Sequence, residues 1–198
     1  MTMFPTTPSI TLRDPLAELL GAGEEPFTYT FADAVKLAGH ACPTVAGAFL
    51  MTKRALEILY PDGLPERGDV AIEVPGRMDE GVTGPITQIF TLVTGAAADN
   101  GFHGLGGQFS RLRLMRFGNT PNSGGPFLFR RLSTGRQVEV SYSPRHFPPD
   151  PHMGELLPRI LGGQATPEDR RAFGDLWRDR VLAILKDAGE HTVITRER

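Results

Sequence analysis

One cysteine, Cys42, stands in a chain of 198 residues. With no second thiol, an internal disulfide is excluded, and so are a cysteine-ligated iron–sulfur cluster or a multi-cysteine zinc ribbon built within one chain. No apolar run approaches the roughly 20 residues that cross a bilayer, so no membrane span is expected. Net positive charge is lacking as well. At a formal −2 and a pI near 6.2, no bulk field draws phosphate backbones or anionic lipid, and nucleic acid is not an expected partner. The first residues, Met1 to Ile10, lack the basic-then-apolar order of a secretory signal, which points to a cytoplasmic protein.

Several catalytic signatures are missing too. No Gly-Lys-Ser or Gly-Lys-Thr phosphate loop occurs, and the glycines from Gly101 to Gly107 do not follow the dinucleotide fingerprint. The Gly-x-Ser-x-Gly elbow of serine hydrolases is absent, leaving Ser123 beside Gly124-Gly125 as a weak nucleophile candidate. Internal repeats and low-complexity tracts are not found.

What is present is an ordinary globular composition, 40% hydrophobic and 22% charged, of a length that suits one main domain. Residues 1–26, rich in proline and glycine, read as an N-terminal arm with a short helix near Leu16 to Leu20. Residues 27–198 read as a single α+β domain, mainly an antiparallel sheet packed against helices, with a C-terminal helical segment over 153–188. A helix is expected from Phe31 to Leu37, stopped at Gly39. A longer one follows to Leu59, with Pro43 at its first position, Cys42 as its N-cap, and Val45, Phe49, Leu56 and Leu59 on one face.

Alternation predicts strands at Val70 to Val74, at Arg111 to Leu114, around Phe127 to Phe129, and at Gln137 to Tyr142, the last two joined by a hairpin at Ser133-Thr134-Gly135. A helix from about Ile86 to Thr94 ends at Gly95, and the glycine-rich residues 95–108 form a loop. The arginines at 111, 113, 116, 130 and 131 read as the wet side of strands. Met153 to Leu161 forms a short helix that Pro158 kinks or shifts. In the last helix Thr166 caps, Pro167 opens, and Phe173, Trp177, Val181, Ile184 and Leu185 make an apolar stripe.

Chemistry concentrates at Gly39-His40-Ala41-Cys42-Pro43. His40 and Cys42 are soft-to-borderline donors two positions apart on a turn entering a helix, a spacing that lets both reach one ion. The partial positive charge of a helix terminus favours an anionic sulfur there, suited to metal or to electrophiles. Set against this, a lone cysteine packs as a small hydrophobe, or acts as a reactive thiol without metal, and a lone histidine is commonly a hydrogen-bonded neighbour.

This segment, with the helix after it, resembles the FmdE family of formylmethanofuran dehydrogenase components. The motif of that family is His-Gly-His-x-Cys-Pro-Gly ahead of a helix, and the order of elements from about 31 to 118 is similar. Ala38 replaces the motif's first His, Thr44 its last Gly, and Ala96, in Thr94-Gly95-Ala96-Ala97, the cysteine of its glycine-rich loop; the family's C-terminal zinc ribbon is absent. The resemblance implies a bound metal, zinc or another divalent transition metal, and a homodimer, without fixing a reaction. With Ala96 unable to ligate, His103 is the nearest substitute, giving a His40, Cys42, His103 site with water in the fourth position, the arrangement of catalytic zinc; an exposed loop histidine is the other reading of His103.

Asp79 and Glu80 are candidate proton-handling groups or an added ligand, and equally a hydrated turn or helix start. Asp99 is read the same way, while His146, His152 and His191 are expected to be exposed. Two function classes follow. One is a metal-dependent enzyme acting on a small organic substrate or carrier, with a small-molecule ligand in a pocket shaped by the glycine loop. The other is a non-catalytic metal-binding accessory or sensor protein.

Overall fold

A computed structural model describes residues 8–22, 26–120, 122 and 124–198. Ser123 therefore lies outside the described residues, as do the first seven residues of the expected arm. Two helices follow directly from their caps. Pro43 opens α3 (Pro43–Leu59) with Cys42 as N-cap, and Thr166 closes a capping box with Asp169 at the start of α6 (Pro167–Lys186). The helix α2 (Phe31–Ala38) ends at Gly39 with φ 75°, a left-handed turn that glycine adopts without a Cβ clash.

Five strands form the main sheet: β3 (Val70–Val74), β4 (Met115–Phe117), β5 (Phe127–Arg131), β6 (Gln137–Tyr142) and β7 (Val193–Glu197). Their spatial order is β4-β3-β5-β6-β7; only β3 and β4 run parallel, and every other neighbouring pair is antiparallel. The fold is α+β. Three strands are absent from the sequence reading: β7 at the edge of the main sheet, and β1 (Ser9–Leu12) and β2 (Phe27–Thr30), which form a separate antiparallel pair. Between them α1 (Pro15–Leu19) is capped by Asp14.

The core lies between the sheet and α3. Helix α3 is buried nearly throughout, and Phe49, Leu50 and Leu59 meet Ile72, Phe129, Val138 and Val140 in one apolar cluster. Ile10 and Leu12 of β1 belong to that same cluster, so this part of the expected arm is built into the core. Helix α4 (Thr83–Thr94) adds Ile89, Phe90 and Val93, with Phe90 edge-on to Phe127 and Phe129 at 5.1 and 5.0 Å. Helix α5 (Pro151–Leu161) carries Pro158 inside it and leans on α6.

One expected strand moves. Arg111 to Leu114 alternate as a strand does, yet the extended segment begins at Met115. Arg113 takes φ 57°, which interrupts extended backbone, and Arg111 turns inward. Nor is Arg111 on a wet face: it is 7% exposed, because its guanidinium pairs with buried Asp14. The hidden cation is thus explained by a carboxylate that lies far away in sequence.

Candidate functional site

The turn between α2 and α3 is fixed by backbone bonds. The Gly39 N–H donates to Val35 O at 2.8 Å, and His40 Nδ1 lies 3.0 Å from the Ala38 carbonyl. Cys42 Sγ accepts from the Val45 N–H at 3.4 Å, as an N-cap side chain does. From the other side, Trp177 Nε1 of α6 donates to the Ala41 carbonyl at 2.7 Å, tying the turn to the C-terminal helix. Cys42 is half-buried and His40 exposed.

Behind the turn, the Tyr142 ring lies flat against Gly47, where a Cβ would stand 2.5 Å from ring carbons. The Tyr142 hydroxyl is buried without a partner among the described residues, and burial pushes it up from its ordinary value, with Arg180 opposing.

His103 sits apart on the loop after α4, exposed, in a segment closed by the paired Leu105 and Gln108 backbones. Among the described residues, no three or more His, Cys, Asp or Glu side chains gather closely enough to hold a metal ion, so His40, Cys42 and His103 are not assembled into one site by a single chain. Asp79 is engaged by Arg77, whose Nε and Nη2 donate to its two oxygens at 2.9 and 2.6 Å; that pair holds the exposed carboxyl below its usual range. Glu80 accepts from the Asn122 N–H at 2.9 Å and braces the turn. Asp99 pairs with Arg113 at 2.7 Å in solvent, and His146, His152 and His191 are exposed.

A cleft of about 630 Å³ opens beside α4, within the size range of ligand pockets. Thr87, Gln88 and Thr91 of α4 form one wall, Leu37 of α2 a second, and Met115 and Phe117 of β4 the floor. Ala98 and Asn100 of the loop, with Met78, complete the rim. A hollow beside Tyr60 and Arg131, by comparison, holds about 300 Å³.

The loop wall is anchored by buried charge. Asp14, 6% exposed, accepts from Arg111 Nη2 at 2.7 Å and Arg67 Nη1 at 2.9 Å. Arg67 also donates to the carbonyls of Leu92 and Val93 at 3.1 and 3.0 Å, satisfying acceptors that the end of α4 leaves open. A cation at a helix C-terminus is favoured by the helix dipole, so one network fixes α4, the loop and the start of α1 together.

No known protein-family model matches the chain, and no curated protein matches it. The functional reading therefore rests on its own geometry. Motif reasoning missed the cleft because its walls come from residues 37 to 117 and carry no signature. One signal was present: no charged residue occurs from Gly81 through Ala98, although α4 within it has an outward as well as an inward face. An ordinary surface helix puts charge outward.

Proposed function

We propose that this chain binds a small organic molecule in the cleft between α2, α4 and β4. The observation carrying the reading is the cleft itself, about 630 Å³ with an apolar floor of Met115 and Phe117 and polar groups confined to a few side chains. None of its described lining residues titrates, which favours a binding protein over an acid–base enzyme.

A neutral fluorophore, N-phenyl-1-naphthylamine, tests this, since its emission rises on entering an apolar cavity. Gly84 lines the cleft, and a Cβ added there meets only the Met78 carbonyl, at 3.8 Å. Gly84→Trp therefore fills the space with little cost to the fold. Emission that rises with the native chain and is abolished in Gly84→Trp supports the proposal; equal emission from both, with unchanged melting, removes it.

A second reading keeps zinc or another divalent transition metal at His40 and Cys42, as the resemblance to the FmdE family implies. It is favoured by His40 standing exposed two positions before an N-cap sulfur. Among the described residues of one chain, no third donor joins these two. In a homodimer that brings two such turns together, the four donors suit a closed tetrahedral site, structural rather than catalytic. Elemental analysis should then find about half a zinc per chain, lost in His40→Ala and Cys42→Ser. Metal-free protein after growth in zinc would end that reading. Either role suits the cytoplasm, where a single thiol stays reduced.

A further inference from the structure

The geometry points to a neutral aromatic carboxamide, or a molecule presenting the same edge, as the class of ligand the cleft takes, an inference that rests on the cleft being a ligand site. Three observations carry it.

The first is charge. Lysine, arginine, histidine, aspartate and glutamate are all absent from the lining among the described residues; of the charged residues next to lining positions in sequence, Asp79 pairs with Arg77, Asp99 with Arg113 and Lys36 with Asp33, and Arg116, between Met115 and Phe117, falls on the opposite face of β4. An ion entering here loses hydration and finds no counter-charge, which is costly.

The second is the state of the polar groups. Thr87 Oγ1 donates to the carbonyls of Thr83 and Gly84 at 2.9 and 3.0 Å, and Thr91 Oγ1 donates to Ala96 O at 2.7 Å. Their protons are committed, and only oxygen lone pairs remain for a guest. Gln88 on the α4 wall and Asn100 at the rim are exposed, and their amides take no hydrogen bond from another described residue. Such a set offers acceptors from the threonines and a paired donor and acceptor from each amide. A carboxamide, with N–H₂ and C=O on one edge, satisfies it; a carboxylate sets acceptor against acceptor at the threonines.

The third is the apolar part of the lining. Two methionines, Met78 and Met115, stand with Phe117 around the apolar part of the space. Thioether sulfur and an aromatic ring both favour the faces and edges of a flat guest.

The test compares naphthalene-2-carboxamide with naphthalene-2-carboxylate, equal in shape and different in charge, by equilibrium dialysis at neutral pH against the native chain, Gly84→Trp, and the double variant Gln88→Leu, Asn100→Leu. The expected result is that the carboxamide binds, the carboxylate binds about tenfold or more weaker, the double variant loses several-fold affinity for the carboxamide alone, and Gly84→Trp binds neither. Both residues are exposed, so their replacement leaves the fold intact. A carboxylate that binds as well as the carboxamide, with both lost in Gly84→Trp, overturns the ligand class and spares the cleft. Binding of neither compound, or binding that survives Gly84→Trp, overturns both the class and the site.

Discussion

Turn 39–43 and loop 95–114, which carry the three expected metal ligands His40, Cys42 and His103, are built on opposite principles. The turn is held by backbone groups: the left-handed Gly39, the Cys42 cap on Val45, and the Trp177 bond to Ala41 O. The loop is held by charge buried behind it, two guanidiniums on Asp14, and shows the cleft a neutral face. The difference teaches that charge in this molecule is invested in fastening the walls of the cleft rather than lining it. A neutral recess in a chain with 22% charged residues is then a consequence of how the loop is anchored.

Breaking the anchor should produce the largest effect. Asp14→Ala strips the partner from a buried Arg111 and leaves Arg67 half satisfied, a change expected to cost about 3–5 kcal/mol in chemical denaturation. A loss under about 1 kcal/mol would show that the loop is held otherwise. Next comes Gly68→Ala. Gly68 has φ 90°, and an added Cβ would stand 1.6 Å from Arg111 Nη1, so backbone strain and displacement of the guanidinium act together. Roughly 1–3 kcal/mol should be lost, with the cleft probe binding more weakly as the loop shifts.

On the turn, effects should be smaller and should spare the cleft. Trp177→Phe keeps the ring and removes one hydrogen bond, for about 1 kcal/mol, with faster hydrogen exchange over residues 39–45. Cys42→Ser exchanges one capping side chain for a better one and should move stability by less than about 0.5 kcal/mol. A loss of several kcal/mol in that variant would instead mean that Cys42 holds something beyond the Val45 N–H, and would favour the metal.

Legibility in the sequence follows the same divide. Helices α3 and α6 were readable because proline at the first turn and a side-chain cap mark their starts locally. The hairpin of β5 and β6 was readable from alternation and a short connection. β1 and β2 were not, since each has four residues beside prolines and is specified by the partner across the turn. The Arg111 to Leu114 segment misled for a physical reason: period-two alternation says which residues differ, and a buried Asp14 decided which of them points inward. Of the candidate residues, the capping role of Cys42 was legible from Pro43. The engagement of Asp79 by Arg77 is local, yet its acidity invited a catalytic reading. The cleft, assembled from two helices, a strand and a loop, left only the uncharged stretch from Gly81 to Ala98 as its trace.

The most direct measurement is an amide NMR titration of isotopically labelled protein with naphthalene-2-carboxamide. Shifts confined to residues around the cleft, led by Thr87, Gln88, Thr91, Asn100 and Phe117, with the 39–43 turn silent, are the predicted result. Shifts centred on His40 and Cys42, with α4 unmoved, would contradict the account.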